Sequence, residues 1–397
     1  MTIQYPNPTS PLAGADDIRA RAAAAAAVAR LHAEAVDRDG RFPAEAIEAL
    51  KTGRLLGVGI PIALGGEGAS VEALAEVAYV LGKACSSTAM IFAMHQTKVA
   101  CLVRHGQGAA WIEGAMRRIA GEQLLMASST TEGQGGGNVR SSAAAVEVDG
   151  DSVALDRAAT VISYGAQADG IVTVARRASE AAASDQVLCV FFREDYTLET
   201  VSGWETLGMR GTCSAGFRLR AKGSPEQVLP ARYGEIHGRT MTPVSHILWS
   251  SAWAGIAAAA VERAQAFTRV AARGAGGQMP PGAVHYARAV SSLRQARALI
   301  AQAIDRYEAA APESLDALDA QTALTMLKVE VSELALAATN GALRANGLAG
   351  YRQDGDFSIG RQLRDLLSAP VMIHNDRILA NLATATLMAP VAASLRA

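Results

Sequence analysis

Over the first third of the chain the apolar positions recur at helical spacing. Residues 16–35 are dense in Ala with charges interspersed, and Phe42-Pro43 opens a second helix ending near Leu50. Leu56-Gly57-Val58-Gly59-Ile60-Pro61 and then Gly65-Gly66-Glu67-Gly68 interrupt the pattern, with glycines supplying backbone angles that other residues resist. Helical spacing resumes at Val71 and runs, with breaks, to about Ala120. The middle third changes period. Alternating stretches at residues 143–148, 152–155, 170–175, 187–192 and 217–219 predict short strands. Asp149-Gly150-Asp151 predicts a hairpin between the first two. From about Val244 the helical period returns. Residues 247–272, 283–310, 317–345 and 363–393 are long enough for a four-helix bundle, with a break at 274–282 around Pro280-Pro281.

The expected fold is therefore α+β, in three parts. An N-terminal helical domain covers residues 1–124, a small β-barrel or sandwich domain 125–238, and a C-terminal four-helix bundle 239–397.

Composition narrows the function. Half of the 397 residues are apolar, 5% are aromatic and the formal charge is -1. That lacks the basic excess of a nucleic-acid binder. Seven scattered His residues predict no metal cluster, and Cys85, Cys101, Cys189 and Cys213 are too widely spaced for a CxxC pair or a disulfide framework. A reduced, cytoplasmic chain is expected. The first residues lack the charged start and apolar core of a signal peptide. No run reaches the roughly 18 uninterrupted apolar residues of a membrane helix, so no membrane contact is expected. Neither a GxGxxG between strand and helix nor a GxxxxGK[ST] occurs, which disfavours a Rossmann or P-loop nucleotide site.

Five stretches, in order, carry a likeness to a known family. Gly57–Pro61 with Gly65-Gly66-Glu67-Gly68 resembles a Pro…GlyGlyxGly turn. Thr131-Glu132-Gly133-Gln134-Gly135-Gly136-Gly137-Asn138 resembles a ThrGluProxAlaGlySerAsp signature. Val161-Ile162-Ser163-Tyr164-Gly165-Ala166 with Ala168-Asp169 resembles TrpIleSerAsnAlaxxAlaAsp. Leu207-Gly208-Met209-Arg210-Gly211-Thr212 resembles a loop near the end of the β domain. Gly347-Leu348-Ala349-Gly350-Tyr351 with Leu363-Arg364-Asp365 resembles GlyGlyxGlyTyr…ArgAsp. Together these span residues 55–380. The chain resembles the acyl-CoA dehydrogenase superfamily, whose members hold FAD and are flavin oxidoreductases.

What the resemblance implies can be carried over residue by residue. Thr130, Thr131, Gly136, Ile162 and Ser163 fall where the family's β domain meets the flavin ring, whose edge suits backbone amides and short hydroxyls. Arg273 matches an arginine that meets the pyrophosphate, a task that suits a bidentate guanidinium. Gly347 and Gly350 would let backbone approach the adenosine part of a cofactor held mainly by another subunit, and Asn375 is a further cofactor contact. The departures are Val161 for a Trp beside the flavin, Gly137 for a Ser, Gly276 for a Phe and Arg344 for a Gln.

Dehydrogenation of an acyl thioester needs a carboxylate to take the α-proton. The family's Glu falls here on Ile373, and its alternative Glu, on an earlier helix, falls on Ser245. His246, His374 and Asp376 are the replacement candidates. A second reading is a reduced-flavin monooxygenase, which needs no such base, receives flavin from a reductase and would use His95 with Ser128 or Ser129. A third is a flavin-binding scaffold without catalysis. The resemblance also implies a homotetramer, or dimer of dimers. Its partners would be an acyl thioester or other small molecule, and an electron-transfer flavoprotein or flavin reductase.

Overall fold

The computed structural model describes residues 15–132 and 140–388. Five helices come first: α1 (Ala15–Asp39), α2 (Ala44–Thr52), α3 (Val71–Ala84), α4 (Ser86–His105) and α5 (Ala110–Glu122). Seven strands follow: β1 (Met126–Ser129), β2 (Glu147–Asp149), β3 (Ser152–Ala159), β4 (Gly170–Arg176), β5 (Gln186–Phe192), β6 (Tyr196–Ser202) and β7 (Gly216–Gly223). Then α6 (Tyr233–Ile236) continues through a π-helical turn, His237–Met241, into α7 (Thr242–Gly274). The chain goes on with α8 (Ala283–Ala309), α9 (Leu318–Asn346), α10 (Leu348–Tyr351), α11 (Gly360–Leu366), α12 (Ser368–Val371) and α13 (Asn375–Met388). The α+β class and the order of helices, small sheets and helices agree with the sequence reading.

Strand order is β1-β4-β5 in one sheet and β2-β3-β7-β6 in the other. β1 runs parallel to β4, and every other pairing between these strands is antiparallel. β4 and β5 are near-continuous apolar runs and are buried on both faces. The Gly150 hairpin forms as expected, with Gly150 at φ +60°. β6 has no counterpart in the sequence reading. Its Thr and Glu positions face water at a sheet edge, so hydrophobic alternation is faint there.

α7 is the central element. It packs against α9, α3, α8 and α4. It crosses α3 where two glycines meet: a Cβ on Gly82 would lie 2.4 Å from the Ala252 carbonyl oxygen, and one on Gly255 2.2 Å from that of Tyr79. Tyr233–Gly274 runs as one helix of 42 residues, long and apolar enough by composition to cross a membrane, but 94% of its apolar window is buried inside the protein. It is a core helix.

One element differs from expectation. The helix predicted over 363–393 is broken into α11, α12 and α13, and residues beyond 388 lie outside the described ones. Pro370 has no N–H to continue the ladder. Ile373 and His374 then both adopt left-handed backbone, each with φ +50°. β-Branched residues resist that conformation, so tertiary contacts must impose it.

Candidate functional site

The Leu55–Gly57 loop is clamped from three sides. Gln96 Nε2 donates to the Leu55 and Leu56 carbonyls at 2.9 and 3.1 Å, and Gln123 Oε1 accepts from the Leu56 and Gly57 amides. His95 joins this loop to the first strand. Its Nε2 lies 2.8 Å from the Leu56 carbonyl, and the Met126 amide donates to its Nδ1 at 3.0 Å. That pairing fixes the tautomer with the proton on Nε2. Burial pushes the ring down to about 4, so His95 is a neutral strut between α4 and β1.

Tyr164 and Asp169, from the third motif, brace the same strand. The Tyr164 hydroxyl donates to the Met126 carbonyl at 3.1 Å, and Asp169 accepts from the Leu125 amide at 2.8 Å and from Lys51 at 3.0 Å. Ser163, beside them, ends a chain of hydroxyls. Thr212 and Ser214 oxygens lie 2.8 Å apart, and Ser214 donates to Ser163 at 2.8 Å. Ile162 is fully buried. At the end of β1, the Ser129 hydroxyl is fully buried and has no hydrogen-bond partner among the described residues. Ser128, Thr130 and Thr131 beside it are partly exposed. Glu132, next in the signature, turns inward. It accepts from the Ala143 and Ala144 amides and pairs with buried Arg157 at 3.2 Å. Gly136 and Gly137 lie outside the described residues.

The two customary base positions sit at the ends of different helices. Ser245 is buried near the start of α7, its hydroxyl donating to the Thr242 carbonyl at 3.0 Å. His246, beside it, is also buried. Its Nδ1 lies 2.9 Å from the Leu324 carbonyl and its ring stands 5.8 Å from that of Trp249. Nδ1 therefore carries the proton, and the Nε2 lone pair has no hydrogen-bond partner among the described residues. Burial, then Lys328, holds this ring down to about 4. His374 and Asp376 are exposed, and Ile373 is half-buried.

Lys328, which carries no sequence motif, explains the broken helix. It is fully buried on α9, and its ammonium donates to Asn375 Oδ1 at 2.6 Å. The Asn375 amide donates in turn to Ser332 at 3.0 Å and Glu333 at 2.8 Å. Asn375 thus uses its whole side chain within the protein and holds the left-handed turn before α13 against α9. A mid-helix lysine in an apolar stripe reads as a surface residue in sequence, so only the packing reveals it.

The fourth and fifth motifs meet. The Asp365 carboxylate accepts from the Met209 amide at 2.7 Å, and Arg364 bonds the Leu207 carbonyl and pairs with Asp37 of α1. A Cβ on Gly208 would lie 2.2 Å from the Arg364 carbonyl oxygen, so only glycine fits there. Arg273 and Gly347 are exposed, whereas Gly350 is buried against Asn346 and Ile359. Arg344 lines a cavity of about 380 Å³ between α8 and α9, with His285, Arg288, Ser291, Ser292 and Asn340. It has no acidic residue in its wall, a donor set suited to a phosphate. Among the described residues no His/Cys/Asp/Glu group could hold a metal ion.

Comparison with known proteins accords with this layout. Residues 16–110 match the family model of the acyl-CoA dehydrogenase N-terminal domain. The chain is 25% identical over 343 residues to cyclohex-1-ene-1-carbonyl-CoA dehydrogenase of Geobacter metallireducens, covering 83% of this chain and 86% of that one. Among solved structures it is similar to FMN-bound TdsC from Paenibacillus sp. A11-2, a dibenzothiophene monooxygenase, with a TM-score of 0.81 and 18% identity over 93% and 97% of the two chains. It is equally similar to butyryl-CoA dehydrogenase from Megasphaera elsdenii, with a TM-score of 0.80 and 16% identity over 96% and 100%.

Proposed function

We propose that this acyl-CoA dehydrogenase-like chain is a flavin-dependent oxidoreductase that dehydrogenates an acyl thioester with a base other than the usual glutamate. The observation that carries the flavin reading is the Thr212–Ser214–Ser163 chain, which leaves the half-buried Ser163 hydroxyl with its own proton available for the edge of a flavin ring. Thr130 and Thr131, both partly exposed, offer further short hydroxyls. Arg273 and the basic cavity at Arg344 suit the phosphates of an FAD tail shared with a neighbouring subunit. These residues fit the group.

When bound, an oxidised flavin supplies the acceptor for the substrate's hydride. The chain's own task is the proton. His246 supports it best, because its Nδ1 is fixed by Leu324, its Nε2 lone pair is open, and burial keeps it neutral at physiological pH. Asp376 and His374 are solvent-exposed and stand as weaker candidates. The absence of a carboxylate at Ser245 and Ile373 favours a second reading, a monooxygenase fed with reduced flavin, which the likeness to TdsC supports. Further elements of the proposal are a cytoplasmic homotetramer and an electron partner. That partner is an electron-transfer flavoprotein on the first reading and a flavin reductase on the second.

Anaerobic titration of the purified protein separates the two. Yellow protein bleached by an acyl-CoA supports dehydrogenation. Colourless protein that binds reduced flavin and consumes oxygen only with a reductase supports oxygenation. Protein that binds no flavin in either redox state overturns both.

A further inference from the structure

Two glycines bring the backbones of α8 and α9 together. A Cβ on Gly282 would stand 2.5 Å from the Ala345 carbonyl oxygen, and one on Gly341 3.2 Å from that of His285. Beside this contact lies the cavity of about 380 Å³. His285, Arg288 and Ser292 line it from one face of α8, at i, i+3 and i+7. Ala337, Gly341 and Arg344 line it from one face of α9, at i, i+4 and i+7. Its ionisable lining groups are all basic, one imidazole and two guanidiniums. Arg288 and Arg344 are exposed and His285 is half-buried, so a ligand has both room and a route.

The imidazole differs from its two neighbours because its charge can change near neutral pH. An arginine stays protonated whatever approaches it. His285 also stands in the first turn of α8, where the helix dipole opposes a positive charge and favours a negative one. Partial burial, then Arg344 and Arg288, hold its ring below the ordinary histidine value. No carboxylate from either helix lines the cavity to offset them. With no anion beside it, His285 is therefore neutral at pH 7. A doubly charged anion between the guanidiniums reverses that field and favours the protonated ring.

We propose that His285 is a binding residue for a pyrophosphate diester, and that its ring takes up a proton from solvent as the ligand seats against Arg288 and Arg344. The site then holds three cations instead of two. This assignment rests on the phosphate reading of the cavity. Because the bound anion favours the charged ring, affinity is highest below the histidine range and falls as the pH rises through the pKa of the complex.

ADP-ribose is the probe, because its two phosphates are diesters and lack the monoester ionisation at about pH 6 that would mask the effect. Calorimetric titration of the flavin-free full chain at roughly pH 5.5, 7 and 8.5, which brackets histidine ionisation, gives the affinity. Repeating it in two buffers of different ionisation enthalpy counts the protons taken up. Affinity is expected to fall about tenfold across that range, the equivalent of one pH unit of change on the ring, with proton uptake near its middle. His285→Gln should bind at every pH with the parent's weaker, high-pH affinity and take up no proton. Arg344→Glu should weaken the probe about tenfold at each pH, which ties it to this cavity. No binding by the parent, or binding indifferent to Arg344→Glu, overturns the phosphate reading and the assignment with it. Binding that Arg344→Glu weakens but that takes up no proton, or a pH slope that survives His285→Gln, overturns the role of His285 alone.

Discussion

Lys98 and Lys328 are both sealed from water, but the Lys98 ammonium meets the Met241 sulfur at 3.4 Å where Lys328 meets the Asn375 oxygen at 2.6 Å. The consequence for stability has a definite sign. Lys98 titrates near 8 in the folded chain against an ordinary 10.5, so between those values the unfolded chain holds more protons. Stability should therefore rise from about pH 8 to about pH 10.5 and be lower, by roughly 3 kcal/mol, beneath that window. Lys98→Met should be more stable than the parent near pH 7 in urea unfolding, with the gap closing near pH 10.5. A constant gap would mean that the amine is already neutral or matched. Proton transfer is likewise a single-residue question. His246→Ala should slow substrate-driven flavin reduction by about a hundredfold, the usual general-base contribution, and Asp376→Asn by less than about twofold. Stopped-flow absorbance reads both, and the reverse ranking would move the base to α13.

At the scale of elements, the joints between motifs govern the site. Gly208 lets the Leu207–Thr212 loop lie on the backbone of α11, where Asp365 and Arg364 hold it. Gly208→Ala should separate that loop from α11 and lower the unfolding free energy by roughly 2 kcal/mol, as overpacking does. An unchanged urea midpoint would show that the loop can shift freely. The two halves of this joint were legible in sequence as a glycine-bearing loop and an ArgAsp pair, whereas their meeting shows only in the packing. Likewise the Gly150 hairpin, the turn after Leu56 and the three long helices follow from period and punctuation. The left-handed Ile373–His374 pair left no such trace. It depends on Lys328, 47 residues away from Asn375, and local propensity argues for continued helix. The π-turn at His237–Met241 was invisible for the same reason, since one extra residue in a turn hardly alters an apolar period. Candidate residues for the base and the cofactor were found by motif order, while Lys98 and Lys328 needed the packing.

At the scale of the whole molecule, the C-terminal helices show apolar side chains to water. Leu348 is 72% exposed and Tyr351 76%, and Val371 and Leu379 on α12 and α13 are also open. Several open apolar residues on adjoining short helices are unusual for a lone chain and suit an interface. Leu348 lies four residues beyond Arg344, whose cavity carries a donor set suited to a phosphate. If a neighbouring subunit's FAD reaches that cavity, assembly and cofactor retention must be coupled, because either event places the same surfaces together. Leu348→Asp should then reduce the particle mass seen by light scattering and release FAD in the same protein range. Arg344→Glu should weaken FAD about tenfold, leave FMN nearly unaffected, and loosen the assembly only at FAD concentrations too low to saturate the variant. Dissociated Leu348→Asp protein that keeps FAD with parental affinity would place the entire cofactor within one chain, and the cavity between α8 and α9 would need another ligand.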